Sequence, residues 1–149
     1  MNHSIVISKS VVKTEFEAMA YKYANAIEVA DNAKAVRNVK SDRIDDTADS
    51  LLVDNSFDKR LKEVVSLMRD FGASATTSGD NVTIAFVTTS RWAGTEVSLL
   101  SLAKTYILDG MLADWYNSTA PTEAAIYTTR LPQDAVNINS ELYAKGVPQ

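Results

Sequence analysis

The segment that most constrains this chain is residues 95–117, where apolar side chains cover most of the circumference of a helix. A helix on a protein surface shows one apolar stripe, so a helix that is apolar on several sides is buried on several sides. We therefore predict that this segment is the central helix of the domain, or of an oligomer. Gly110 lies inside it and costs about 1 kcal/mol relative to Ala, which indicates close packing there. The apolar residues are Val97, Leu99, Leu100, Leu102, Ala103, Tyr106, Ile107, Leu108, Met111, Leu112, Ala113, Trp115 and Tyr116.

Two further segments carry one apolar stripe each at helical spacing, and we expect both helices to face the core. The second segment is followed by Gly72, at the position where a helix-terminating glycine belongs. The first stripe consists of Val12, Phe16, Met19, Ala20, Tyr23, Ile27 and Ala30, and the second of Phe57, Leu61, Val64, Val65, Met68 and Phe71.

Residues 31–50, between these stripes, have a different character. Basic residues recur every three positions and a cluster of aspartates follows. We predict a loop or an extended arm that leads into a short helix around residues 44–53, with Ala48, Leu51 and Leu52 on its buried side. Asn55 or Ser56 then caps the next helix. The charges either form a solvated surface or dock an oppositely charged neighbour.

Strand-forming residues occupy two other regions. Residues 4–8 alternate as a short strand, and residues 73–90 read as a hairpin around the turn residues 78–81. Val82, Ile84 and Phe86 would share one face of the hairpin. A lone hairpin is marginal in water, so the first strand, near Ile5 and Ile7, is expected to pair with it in a small antiparallel sheet.

The last third of the chain predicts a helix that starts at Pro121, which suits the first helical position. Pro132 should kink or break that helix, after which a helical stripe resumes towards Leu142. Together these elements predict an α+β fold in a single domain spanning residues 1–149. It would combine four or five helices in a bundle with a small antiparallel β-sheet: an N-terminal strand, a hairpin at about residues 73–90 and a C-terminal helical arm.

Composition excludes many enzyme classes. The 149 residues include 15 Lys+Arg and 19 Asp+Glu, one His and no Cys, so disulfides, thiol nucleophiles and Cys-ligated metals are ruled out. The single His3 lies near the chain end and is expected to be exposed. No phosphate-binding glycine motif is present. Asp109 and Asp114 lie five residues apart and point to different sides of a helix. We predict no catalytic residues, no cofactor and no metal site, and thus a protein that is not an enzyme.

One loop could contact partners, and both charge and hydropathy limit what those partners are. Neither half of the chain is basic enough for a nucleic-acid footprint. The longest uncharged run has ten residues, too short to span a bilayer, and the start of the chain does not predict a signal peptide; we expect cytosolic synthesis. Arg91 stands beside Trp92, a pairing found at contacts, although Trp92 could equally fold back over its own domain.

Four stretches resemble one known family. They are Val-Val-Lys-Thr-Glu with Ala-Tyr-Lys in the first helix, at 11–15 and 20–22; Tyr-Ile-Leu-Asp-Gly-Met-Leu-Ala-Asp-Trp-Tyr at 106–116; Glu-Ala-Ala-Ile-Tyr at 123–127; and residues 142–148. In this order they resemble the head–tail connector (adaptor) or neck-and-tail structural proteins of tailed phages and prophages, in the versions found with Bacteroides-type hosts. The hairpin at 73–90 departs from the simpler connectors, which are nearly all helical.

The resemblance implies a virion structural protein of the neck or tail, made in the host bacterial cytoplasm. It would form a ring of copies of itself between portal and tail proteins, act by protein–protein packing and let DNA pass through the lumen without sequence-specific binding or membrane contact. The partner-contact residues would be Ile5 and Ile7 of an edge strand, Arg91 and Trp92 of the hairpin loop, and Tyr143 with Val147 in the C-terminal arm. Each of these could instead cap its own domain.

Two other classes remain open on the sequence. One is a cellular, non-enzymatic protein-interaction or adaptor domain, which a stable monomer that binds one protein would favour. The other is a small enzyme with a carboxylate site, which a cleft with two convergent carboxylates of raised pKa would favour.

Overall fold

Helices and strands follow one another along most of the chain. The structure is a computed structural model that describes residues 1–30, 47–117 and 120–146, and it describes side chains outside residues 21–30 and 47–49. The elements are β1 (Asn2–Ser8), α1 (Lys9–Ala30), α2 (Thr47–Leu67), β2 (Ser74–Ser78), β3 (Asn81–Val87), α3 (Glu96–Tyr116) and α4 (Pro121–Leu142). Within these described residues, four helices with a small antiparallel sheet confirm the predicted α+β class.

The sheet has three antiparallel strands in the order β1-β3-β2. Ile5 of β1 lies opposite Ile84 of β3, so both side chains point to the same face. That face is buried: Ile5, Ile7, Val82, Ile84 and Phe86 are each 3% exposed or less. Gly79 closes the hairpin with a φ of 59°, a value that favours glycine. The predicted hairpin and its pairing with the first strand are confirmed.

The turn of the hairpin also fixes the start of α1. Asp80 follows Gly79, and its Oδ1 accepts a hydrogen bond from the Ser10 backbone N–H at 3.0 Å. The hydroxyls of Ser8 and Ser10 both donate to Asp80 Oδ2 at 2.7 Å. A carboxylate from the hairpin turn thus accepts hydrogen bonds at the N-terminus of α1, where backbone N–H groups have no partner within the helix.

Helix α3 is central, as its apolar circumference predicts. It packs against α1, α2, α4 and β1, and its Thr95 cap accepts a hydrogen bond from the Ser98 N–H at 3.1 Å. One core cluster joins it to the inner face of the sheet, to Val12 and Phe16 of α1 and to the stripe of α2. The side chains of Tyr23, Ile27 and Ala30 in the α1 stripe lie outside the described residues. Its buried residues are Leu99, Ala103, Tyr106, Ile107, Asp109, Gly110, Met111, Leu112, Ala113 and Tyr116.

Helix α2 corrects the prediction of a short helix followed by a separately capped one. It runs without a break through Asn55 and Ser56, because the stripe that begins at Val53 continues in phase to Met68. Leu51 and Leu52 are 59% and 61% exposed, so the prediction that they are buried was wrong. The predicted arm at residues 31–46 lies outside the described residues, as does the side chain of Ala48.

Helix α4 continues through Pro132, so the alternative of a broken helix is wrong. Pro132 lacks the N–H that would bond to the Thr128 carbonyl. Both residues are exposed, so water can hydrate that carbonyl. Among the described helices, none is long and apolar enough to cross a membrane.

Candidate interaction surfaces

The interface between α2 and α3 holds the most fully paired charges of the described chain. Arg60 of α2 is only 9% exposed. Its Nη2 and Nε donate to the Asp114 carboxylate at 2.6 and 3.1 Å, and its Nη1 donates to Glu63 at 2.8 Å. Ser56 Oγ donates to Asp114 at 2.6 Å, and Tyr106 OH donates to Glu63 at 3.1 Å. Every charge here has its partner within the chain.

The hydrogen bonds of this network determine the pKa of Asp114. Burial acts to raise the pKa of the Asp114 carboxyl, but hydrogen bonds from Arg60 and Ser56 outweigh it and hold the pKa below its usual value. Gly110 of α3 leaves room for the Arg60 stem, because a Cβ at this position would overlap the Arg60 side chain. The close packing predicted at Gly110 is therefore confirmed, and the packed partner is an arginine.

A second pair of carboxyl groups lies between α3 and α4. Asp109 is 5% exposed, and its carboxylate lies 3.8 Å from Arg130 Nη1. Burial is the main cause that raises its pKa to about 7, and the hydrogen bond and negative charge of Asp134 add to it while Arg130 opposes it. Asp109 thus faces α4 and Asp114 faces α2, which confirms that the two point to different sides. The sequence reading missed Asp134, because contact across two helices leaves no local spacing signal.

The charged side chains of α4 contact their own chain. Arg130, although 53% exposed, lies 3.8 Å from Asp109, and Asp134 faces Asp109 as described. Glu123 lies close enough to Tyr127 for its negative charge to add to burial in raising the pKa of the Tyr127 hydroxyl, and Glu141 accepts a hydrogen bond from the Thr95 N–H at 2.8 Å. The opposite side of the helix carries no charge. We call this side the outer stripe; its exposed residues are Thr122, Ala125, Ile126, Thr129, Gln133, Val136 and Ser140.

The sheet has a second uncharged surface, on the side that faces away from the core. Register places alternate residues of the three strands on this side. Val6 and Val87 are its large apolar members, 47% and 52% exposed. We call it the open sheet face, and it consists of Asn2, Ser4, Val6, Ser74, Thr76, Thr83, Ala85 and Val87.

Strand β2 is also open along its edge. All five residues, Ser74–Ser78, are exposed, and none is charged or proline. Edge strands usually carry lysine, proline or a bulge that prevents pairing with another chain. This edge has no such protection from its own side chains.

The predicted contact residues in β1 point inwards. Ile5 and Ile7 are 2% and 0% exposed and belong to the core cluster. Their side chains cannot meet a partner in the folded chain, since alternation along the strand turns them to the buried face. The prediction named Ile5 and Ile7 as members of an edge strand, and β1 does lie at an edge of the sheet. A partner contact there would use the backbone edge of β1 and its outward residues, such as Val6.

Trp92 folds back over its own domain, which was one of its two alternatives. Its indole Nε1 donates to the Glu141 carbonyl at 2.8 Å, and its ring lies 4.6 Å from the ring of His3 and 5.8 Å from that of Phe86. The expectation that His3 is exposed was wrong: its side chain is 17% exposed and its Nδ1 lies 3.1 Å from the Glu96 carboxylate. A chain-terminal position gives no sign of such long-range packing.

The other predicted contacts lie nearer the surface. Arg91 is exposed, and its Nη2 donates to the Gly146 carbonyl at 3.4 Å. Tyr143 is 54% exposed, its hydroxyl donates to Asp70 at 3.2 Å and its ring lies 5.0 Å from that of Phe71. Val147 lies outside the described residues.

A groove of about 520 Å³ lies beside Trp92, between the end of the sheet and the start of α3. The hydroxyl of Thr88 and the Nε2 of His3 are buried near it with no hydrogen-bond partner among the described residues. Asp109 and Asp134 do not line this groove. Its lining consists of Met1, His3, Thr88, Thr89, Ser90, Trp92, Gly94, Thr95, Glu96 and Val97.

The described part of the chain contains no group of three or more His, Cys, Asp or Glu residues that could hold a metal ion. Comparisons of the chain with models of known protein families, with curated proteins and with solved structures find no match.

Proposed function

We propose that this chain is a virion structural protein, a ring-forming head–tail connector or adaptor subunit between portal and tail that acts by protein–protein packing. The observation that carries the proposal is the pair of unlike, exposed and uncharged surfaces described above: the outer stripe of α4 and the open sheet face. A subunit of a closed ring needs two different surfaces, one for each neighbour.

The distribution of charge supports an assembly role. A helix on the surface of a monomer usually carries charged residues on its solvent side, yet α4 keeps Glu123, Arg130, Asp134 and Glu141 in contacts within its own chain. Removing an unpaired charge from water is costly. Surfaces without charge can be covered by a neighbour at a smaller cost.

The remaining parts of the proposal rest on the resemblance stated from the sequence. Portal and tail proteins would be the neighbours above and below the ring, and the virion neck or tail would be the location. The net charge of −4 suits a channel through which DNA slides, since like charges repel.

The first test is the assembly state of the purified chain. Native mass spectrometry and negative-stain electron microscopy should show closed rings at high protein concentration. A chain that stays monomeric over the whole concentration range contradicts self-assembly. The second test is mass spectrometry of gradient-purified phage particles from a culture that encodes the chain. We expect its peptides in a fixed ratio to those of the portal protein, and their absence from particles contradicts the virion role.

A cellular, non-enzymatic adaptor domain is the second candidate. The observation in its favour is the groove beside Trp92, where the Thr88 hydroxyl and the His3 Nε2 have no hydrogen-bond partner among the described residues. This candidate requires a stable monomer that forms a complex with one other protein, so the same native mass spectrometry separates it from the connector proposal.

A further inference from the structure

We propose that α4 of one copy lies across the open sheet face of the next copy, with the outer stripe in contact with that face. This inference rests on the proposed function, because it names the surfaces through which the copies of a ring meet. The occupant of the open sheet face is thus a second copy of this chain.

The absence of charge from both surfaces favours contact between them. None of the seven residues of the outer stripe and none of the eight residues of the open sheet face is charged. When the two surfaces meet, no ionised group within either has to leave water unpaired. By contrast, α2 exposes charged residues such as Asp58, Lys59 and Lys62. A neighbour that covered α2 would have to supply partners of opposite charge.

The spacing of the large apolar side chains on the two surfaces favours the same contact. Ile126 and Val136 are 45% and 53% exposed, and their ten-residue separation corresponds to about 15 Å along the helix axis. On the sheet, Val6 lies opposite Thr83, four residues before Val87. Four residues along a strand and one strand across give about 14 Å between Val6 and Val87. The two pairs of apolar side chains therefore have comparable separations.

The two surfaces lie at positions in the fold that a single chain cannot bring together. Helix α3 packs against β1 on one side and against α4 on another, and the open sheet face points away from the core. The outer stripe in turn points away from α3. A chain cannot fold its own α4 onto its own open sheet face, so the contact joins different copies. A contact between two unlike surfaces is head-to-tail and yields a ring when its rotation closes.

The experiment uses the natural absence of cysteine. Ile126→Cys and Val136→Cys are each mixed with Val6→Cys and Val87→Cys, and a short bismaleimide reagent joins thiols that meet across copies. A helix lies on the sheet in one direction, so each helix position should be close to only one of the two sheet positions. We therefore expect strong cross-linking in two of the four mixtures: one mixture that contains Ile126→Cys, and one that contains Val136→Cys with the other sheet variant. Lys62→Cys on the charged surface of α2 is the matched control, and we expect no cross-link between it and Val87→Cys.

A second variant measures the energetic effect. Val136→Lys places a charge in the outer stripe, and we expect at least a tenfold weakening of assembly in analytical ultracentrifugation with unchanged circular dichroism. Lys62→Met, which alters charge by the same amount outside the surface, should assemble like the unmodified chain.

Three results would overturn the inference while the connector proposal stands: rings in which none of the four mixtures cross-links, a Val136→Cys variant that mainly cross-links to itself, or a cross-link of Thr76→Cys to Thr76→Cys, which indicates pairing through the edge of β2. An unmodified chain that remains monomeric overturns the proposed function itself, and the inference with it. The two failures are therefore distinguishable.

Discussion

The α2–α3 interface and the outer side of α4 use polar residues in opposite ways. At the first, Arg60, Asp114, Glu63 and Ser56 form one connected set of hydrogen bonds. At the second, a surface of Thr, Ala, Ile, Gln, Val and Ser is left without charge. A paired network fixes one relative position of two helices. A charge-free surface makes no directed contacts in the isolated chain. The position of a neighbour on it is therefore determined by the neighbour that covers it.

The largest effect is expected where the paired network is broken. Asp114→Ala leaves the buried Arg60 guanidinium with Glu63 alone, so we expect the free energy of unfolding to fall by about 3 kcal/mol. Urea unfolding measures the change. Lys59→Met is the matched control, because Lys59 is 61% exposed and lies 3.8 Å from the same carboxylate; it should change stability by less than about 0.5 kcal/mol. Equal effects of both variants would mean that burial of Arg60 does not matter.

The carboxyl pair on the inner side of α4 should make stability depend on pH. The pKa of Asp109 is raised to about 7 from an ordinary value of 3.8, so the folded chain holds a proton that the unfolded chain releases. Its contribution is complete below about pH 4 and is lost as pH rises through about 7.

Urea unfolding between these pH values is the measurement. Asp134→Asn removes the negative charge that faces Asp109 and should flatten the decline, whereas Glu17→Gln on α1 should not. The assignment of a raised pKa to Asp109 would be contradicted if the free energy of unfolding of the unmodified chain rose over this pH range and Asp134→Asn left that pH dependence unchanged.

A smaller effect should follow from Gly110→Ala. Helix propensity favours Ala by about 1 kcal/mol, but the new Cβ overlaps the Arg60 stem, and we expect a net loss of about 1–2 kcal/mol. The same substitution in an Arg60→Ala background should increase stability, because the overlap is gone. A gain in both backgrounds would show that Arg60 can move aside freely.

The smallest effect is expected on the outer stripe. Thr129→Lys and Gln133→Lys should change the free energy of unfolding of the isolated chain by less than about 0.5 kcal/mol, since both side chains are exposed. Urea unfolding at low protein concentration tests this. A loss of more than about 1 kcal/mol would mean that the stripe contributes to the fold of the single chain, and the contrast with the α2–α3 interface would disappear.

Local patterns predicted much of the fold. The stripes of α1 and α2, the hairpin with its glycine turn and the all-round apolar α3 are each visible within one segment of sequence. The predicted break before Asn55 is wrong because residue types that cap helices also occur inside them. Ser56 is an example: it lies inside α2, and its hydroxyl donates a hydrogen bond to Asp114.

The surfaces were harder to predict. Trp92 beside Arg91 suggested a contact, but the bond from its indole to Glu141 joins residues far apart in the chain. The pairing of Asp109 with Asp134 and the contacts of the other α4 charges with their own chain likewise depend on the packing of helices. Such properties become visible only once the relative rotation of the helices is known, which residue spacing within one helix does not give.

The topology of the sheet has a consequence for synthesis. β1 occupies residues 2–8 but pairs with β3 at residues 81–87, and Asp80 also completes the start of α1. β3 and all the residues between the two strands must leave the ribosome before β1 can find its partner. Until then its apolar residues stay exposed and its edges unpaired, the condition under which nascent chains aggregate. We expect α2 to form early from local contacts and the closure of β1 onto β3 to set the folding rate, because distant contacts form slowly.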